Sequence, residues 1–159
     1  MSDKPIKILF VCVKKGVRAS IAKGIMNIQG RGKVHASAAS FEKGGIPQFL
    51  REEIIRFVEM PTDEVCKTVF EWNEFIEQFD YVITLCDESE EQCAIFNKIT
   101  HTISSNNLLR RHWSIPNLSK AGELQGKDRT DFVAKVISKI ATEVDNFIET
   151  ENIKTFSWQ

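Results

Sequence analysis

Cys12 and Arg18 stand six positions apart, with Val13, Lys14, Lys15, Gly16 and Val17 between them. A five-residue loop of this kind can curl its backbone N–H groups around a single tetrahedral oxyanion, while a helix starting at its end turns its N-terminus toward the same point. A thiol at the mouth of such a loop is a candidate nucleophile, and a guanidinium at its far end can hold two anion oxygens as a fork. The helix start and Arg18 are expected to lower the Cys12 pKa and populate the thiolate near neutral pH. The plainer alternative is a core cysteine beside a surface arginine. Against it, the pair lies between a mostly apolar run at residues 6–11 and an amphipathic segment, which is the setting an anion loop needs.

A Cys, five residues and an Arg directly after a first strand resemble the signature of the low-molecular-weight protein tyrosine phosphatase superfamily. The likeness extends to Ser37, Ala38, Ala39 and Ser40, where that superfamily carries Ser-Ala-Gly-Thr and Ala39 takes the glycine slot. Residues 84–93, with Cys86 and Cys93 seven apart, resemble the redox segment of thioredoxin-coupled arsenate reductases in the same superfamily. His112-Trp113 resembles the His-Trp of many of those reductases. The resemblance implies that Cys12 attacks arsenate, Cys86 attacks the Cys12 adduct to release arsenite, and Cys93 takes over the disulfide. Thioredoxin or another thiol reductant would then be the partner. The ligand would be phosphate, sulfate or arsenate, with no cofactor.

Two departures bear on that chemistry. The superfamily's loop carries Asn three residues after the Cys and Ser directly after the Arg, whereas here Lys15 and Ala19 stand there. Lysine cannot reproduce the amide's hydrogen bonds, and alanine offers none. The superfamily's phosphatases also carry an Asp-Pro near the last strand to protonate the leaving oxygen; Asn117 occupies the apparent general-acid position and cannot act as an acid. Losing that acid lowers a rate by roughly 10²–10⁴-fold unless Glu123, Asp128 or Asp131 substitutes. Tyr81 is the chain's only tyrosine, so the pair beside that Asp-Pro is missing too.

The elements that must position these residues follow from periodicity. Val17, Ile21, Ile25 and Ile28 predict a helix ended by Gly30 and Gly32, residues 33–40 a second strand, and residues 46–60 a helix with Leu50, Ile54, Phe57 and Val58 on one face. Residues 62–70 fit either an extended piece or an irregular connection, and residues 71–79 a short helix. Residues 80–87 form a continuous β-rich run suited to a central parallel strand. Residues 89–96 fit a helix, Asn106-Asn107 a turn and residues 108–115 the last strand. A helical period from Asp128 to about Glu151 closes the chain. Alternating strands and helices predict an α/β fold. The resemblance makes it a three-layer sandwich whose four-stranded parallel sheet runs 2-1-3-4. In such sheets the site lies at the carboxyl ends of the strands, where Cys12 and Cys86 both fall.

If residues 86–93 were an intact helix, Cys86 and Cys93 would be about 10.5 Å apart along its axis, too far for a disulfide without unwinding. The acidic run Asp87, Glu88, Glu90 and Glu91 suits a solvated piece able to rearrange. Cys66 reads as a small buried hydrophobe and Trp113 as core packing. A zinc site from Cys66, Cys86, Cys93 and His101 lacks paired short ligand spacing, so no metal is expected.

The composition bounds the rest. At 159 residues and 42% hydrophobic, the chain suits one domain over residues 1–159. With 21 basic against 22 acidic residues it has no global attraction to nucleic acid or anionic lipid. No stretch has signal-peptide or membrane-spanning character, and four cysteines are too few for a disulfide scaffold, which together point to the cytoplasm. Three functions remain open: a thiol-dependent arsenate reductase, a tyrosine or small-phosphoester phosphatase, and an oxyanion-binding protein with impaired chemistry.

Overall fold

The computed structural model describes residues 4–13, 15–72, 78–88, 92–94, 108–151 and 153. Strand β1 (Ile6–Cys12) is built to be central: Ile8, Phe10 and Cys12 join an apolar cluster on one face, and Leu9 and Val11 join another on the opposite face. A strand buried on both sides belongs in the interior of a parallel sheet. It pairs in parallel with β2 (Val34–Ser40) on one edge and, on the other, with a strand at Tyr81–Cys86, which is followed in turn by one at Leu109–Ser114. This is the expected four-stranded order.

The sheet is larger than four strands. Beyond β2 lies β4 (Val65–Thr68), parallel to it, and beyond that the two-residue β3 (Gly44–Gly45), antiparallel to β4. With β5 (Tyr81–Cys86) and β6 (Leu109–Ser114) the order is β3-β4-β2-β1-β5-β6. In β4, Val65 and Lys67 are exposed and Cys66 is buried, so its period is two; four residues on a sheet edge are too short a run to declare it in sequence.

Helices α1 (Val17–Gln29), α2 (Gln48–Ile55) and α4 (Gly126–Thr150) cover one face, and the short α3 (Val69–Trp72) packs with Phe79 and Leu108 on the other. Two expected faces shift. Ile28 is 52% exposed, while Ala22 and Met26 turn inward beside Ile21 and Ile25. The second helix stops at Ile55, because the N–H groups of Phe57 and Val58 both return to the Ile54 carbonyl in a closing turn. That turn leaves Phe57 exposed and sends Val58 into the core. In α4, Val133, Val136, Ile137, Ile140, Val144 and Phe147 form the buried stripe. Trp113 fills the core between Phe10 and Phe147. The expected turn at Asn106-Asn107 lies outside the described residues, as do parts of the expected helices at 71–79 and 89–96. No helix of the described residues is long and apolar enough to cross a membrane.

The end of α4 is fastened to β5 by Tyr81, whose ring meets Phe147 edge-on at 4.9 Å and whose hydroxyl donates to the Glu151 carboxylate. Burial, and then the Glu151 carboxylate, push the Tyr81 pKa up to about 12 from 10.0. The unfolded chain therefore releases this proton near pH 10 and the folded chain only near pH 12. Stability from this group is complete below the lower value and is lost as pH rises through that window. Urea midpoints between pH 9 and 12 should fall more steeply for the parent than for Tyr81→Phe, which cannot titrate; parallel curves would refute the assignment.

Candidate active site

β1 carries Cys12 to the carboxyl edge of the sheet, and the chain then turns through the loop into α1. The residue that makes the turn is Gly16, at φ 75°, which precedes the first helical residue and accepts the Ser20 N–H on its carbonyl. A left-handed residue here is almost free for glycine and strained for others. Lys14 lies outside the described residues.

The Ala19 N–H donates to Cys12 Sγ at 3.4 Å, and the N–H groups of Arg18 and Gly16 also favour the thiolate. Arg18 lies close enough to add a further pull in the same direction. Burial outweighs them all, because Cys12 is only 2% exposed. Its pKa is raised above the ordinary 9.0, not lowered as expected. The local groups favour the thiolate as the sequence suggests, but desolvation by the whole fold is the larger effect.

Arg18 is 4% exposed. Its NH1 group donates to the Ile115 carbonyl at 2.8 Å and stands 3.7 Å from Asp87 Oδ1. Ile115 in turn gives its N–H to the Cys86 carbonyl at 2.8 Å, so Arg18 and the end of β5 share one anchor.

Cys12, Lys15, Gly16, Val17 and Arg18 form the floor of a cleft of about 440 Å³. Pro47, Phe49, Leu50 and Leu118 give it apolar walls, and Asn117, Ser119 and Gly122 complete it. Asn117 lines the cleft, and its Oδ1 accepts the Ser119 N–H at 2.9 Å to cap the 3-10 turn Leu118–Glu123. None of Glu123, Asp128 or Asp131 lines the cleft; Asp131 instead pairs with Lys127 at 2.7 Å on the exposed side of α4.

Cys86 and Cys93 are both buried and pack together, with Val13 of the loop and Phe41 against them. The two side chains therefore share one buried cluster, and residues 89–91 between them lie outside the described residues. They lie on the other side of the sheet from Cys12: Ile83 and Leu85 join the cluster that holds Cys12, and Cys86 alternates away from them. The segment is held at its start, where the Glu88 carbonyl accepts from His112 Nε2 at 2.8 Å and Ser114 Oγ at 3.0 Å. The His112 Nδ1 meets Thr84 Oγ1 at 2.7 Å.

Cys66 is the residue that sequence reasoning undervalued. Register pairs Cys12 with Ser40 and Ser40 with Thr68, so Cys66, two before Thr68, faces the same side as Cys12. A Cβ on Gly16 would stand 2.5 Å from Cys66 Sγ, which means that the thiol packs directly on the loop. Burial, and then the Cys12 charge, raise its pKa to about 11. Nothing local in the sequence announces this contact, which depends on an edge strand brought in by the sheet. Asp87 and Phe49 escaped for the same reason. Among the described residues no group of three or more His, Cys, Asp or Glu could hold a metal ion, and His101 lies outside them.

Gly16→Ala should combine left-handed strain with the Cys66 clash. We expect about 1–3 kcal/mol of lost stability together with weakened phosphate binding. Urea unfolding and calorimetric titration with phosphate would check both, and unchanged values would show that the loop can be remade around a side chain.

Comparison with known proteins agrees with this architecture. Among curated protein sequences, none matches the chain. An arsenate reductase in a phosphate-binding state shares the fold at TM-score 0.65 and 17% identity, over 94% of this chain and 99% of that one. The arsenate reductase of Archaeoglobus fulgidus does so at TM-score 0.63 and 24% identity, over 89% and 98%. A low molecular weight protein tyrosine phosphatase from Streptococcus pyogenes does so at 0.65 and 11%, over 91% and 92%. At these identities the likeness is one of fold. The sequence profile of one family, however, matches residues 7–155, nearly the whole chain and all of the loop, cleft and thiols described above. The chain therefore belongs to the low molecular weight phosphotyrosine protein phosphatase family.

Proposed function

We propose that this protein is a thiol-dependent arsenate reductase in which Cys12 is the nucleophile, Arg18 and the loop N–H groups hold the oxyanion, and Cys86 and Cys93 form the relay. The observation that carries the reading is the packing of Cys86 and Cys93 together against Val13, within the loop that begins at Cys12. A phosphatase has no use for that second thiol pair.

The chemistry fits the missing acid. Arsenate expels hydroxide, and a protonated Cys12 can supply the proton that turns it into water as the sulfur–arsenic bond forms. Cys86 then attacks the Cys12 sulfur. The sulfur–arsenic bond breaks, its electron pair stays on arsenic as arsenite, and a Cys12–Cys86 disulfide remains. Cys93 attacks Cys86, freeing Cys12 as a thiol and leaving Cys86–Cys93 for an external dithiol such as thioredoxin. Arg18 keeps the Ile115 carbonyl on NH1 and offers the rest of its fork to the oxyanion.

One observation favours a second reading. A cleft of about 440 Å³ with Pro47, Phe49, Leu50 and Leu118 in its walls exceeds the needs of an inorganic anion and suits the organic group of a phosphoester. Parallel assays of arsenate reduction with a dithiol and of p-nitrophenyl phosphate hydrolysis separate the two. Reduction well above hydrolysis supports the reductase, the reverse supports the phosphatase, and phosphate binding without either turnover would leave an impaired oxyanion-binding protein.

A further inference from the structure

Arg18 is a nearly buried cation, and a buried charge needs a partner. Among the described residues the carboxylate that meets it is Asp87, at 3.7 Å from NH1. The aspartate is unlike its partner in being 56% exposed against 5% for the arginine side chain, so it can swing into solvent at little cost. It is also the residue directly after Cys86, on the stretch whose Cys86 and Glu88 carbonyls are tied to Ile115, His112 and Ser114.

We propose that Asp87 is a positioning residue: a resting counterion that occupies Arg18 until an oxyanion arrives, and whose displacement then loosens the segment carrying Cys86. This deepens the reading of the loop as an oxyanion site and rests on it. The physical argument is competition. A tetrahedral oxyanion in the loop brings charge and several acceptors to the same guanidinium, where Asp87 reaches only one NH1 at the long end of ion-pair range. Two anions at one cation repel, so binding the first favours release of the second. Once Asp87 leaves, the stretch from Cys86 to Glu88 loses its tie to α1 and keeps those to β6. Cys86 must cross from the far side of the sheet to reach Cys12, and this release would come only when substrate is in place.

The test uses the whole chain with inorganic phosphate as probe. In Asp87→Asn phosphate should bind several-fold tighter than in the parent, because the competitor is gone, and Asp87→Glu should restore the parent value. Alkylation of Cys86 by iodoacetamide, followed by peptide mass mapping, should speed up with phosphate in the parent and be fast and phosphate-independent in Asp87→Asn. A purely structural salt bridge would weaken phosphate binding when removed. Equal or weaker phosphate binding by Asp87→Asn, with the parent binding normally, overturns the latch alone. Absence of phosphate binding in parent and variant overturns the oxyanion reading and the latch with it. Should Asp87→Asn fail to fold, the Asp87 carboxyl carbon resonance of the parent decides: it should shift on phosphate titration in step with binding, and a static resonance refutes the displacement.

Discussion

Cys12→Ser should abolish turnover, whether it is read as arsenate reduction or as phosphoester hydrolysis, while leaving the fold and phosphate binding in place. Serine fills nearly the same volume beneath the Ala19 N–H, so the loop keeps its shape. Its hydroxyl is a far weaker nucleophile than a thiol, and removal of a covalent nucleophile lowers rates by about 10⁴-fold or more. The groups proposed to hold the anion are Arg18 and the backbone N–H groups, which the substitution does not touch. The expected pattern is therefore turnover at background with a calorimetric phosphate affinity close to that of the parent. The raised thiol pKa adds a signature: iodoacetamide alkylation of Cys12 should still be accelerating above pH 9.0, because burial holds back the thiolate there. A plateau below neutral pH would mean that Arg18 and the N–H groups outweigh burial after all. Full turnover in Cys12→Ser would move the chemistry to another thiol.

What could be read from sequence here was whatever is local. The apolar run of β1, ending in Cys12 with Arg18 six further on, fixes a strand, a loop and a helix within thirteen residues, and all three form at the expected places. Asn117, read from a motif as the apparent general-acid position, is among the residues lining the cleft. The failures are of two kinds. Cys66 and Asp87 meet the loop only through sheet order and loop closure, contacts of long sequence separation that no short pattern encodes. The direction of the Cys12 pKa failed because desolvation sums over every element packed around the sulfur, whereas Arg18 and the helix start are visible in the motif itself. Gly16 is an intermediate case. Glycine is the residue type suited to a left-handed turn inside such a loop, and Gly16 makes that turn at φ 75°, while the contact it makes with Cys66 depends on a distant strand.

The proposed relay makes the other large prediction, since Cys86→Ser and Cys93→Ser should each end multiple turnover of arsenate at a different stage. Without Cys86 no thiol of the relay can displace arsenite, and the protein should stall as the Cys12 adduct. Without Cys93 one arsenite should be released per chain, and the protein should stop with Cys12 bonded to Cys86. The geometry makes the first of these steps the demanding one. Cys12 faces the α1 side of the sheet and Cys86 the opposite side, so the end of β5 has to turn, at the expense of the bond from the Ile115 N–H to the Cys86 carbonyl. The second step is short, because Cys86 and Cys93 already pack together. In single-turnover experiments the Cys12–Cys86 disulfide should therefore form slowly and pass quickly to Cys86–Cys93 in the parent, and should accumulate only in Cys93→Ser. Acid quenching, alkylation and mass mapping of the linked peptides would read each stage. The phosphatase reading gives the opposite result: both variants would hydrolyse p-nitrophenyl phosphate nearly as well as the parent, and arsenate would leave all the thiols reduced. If Cys12 is shown to be reactive and no Cys86–Cys93 disulfide appears with arsenate, the reductase assignment fails and the apolar-walled cleft becomes the guide to substrate.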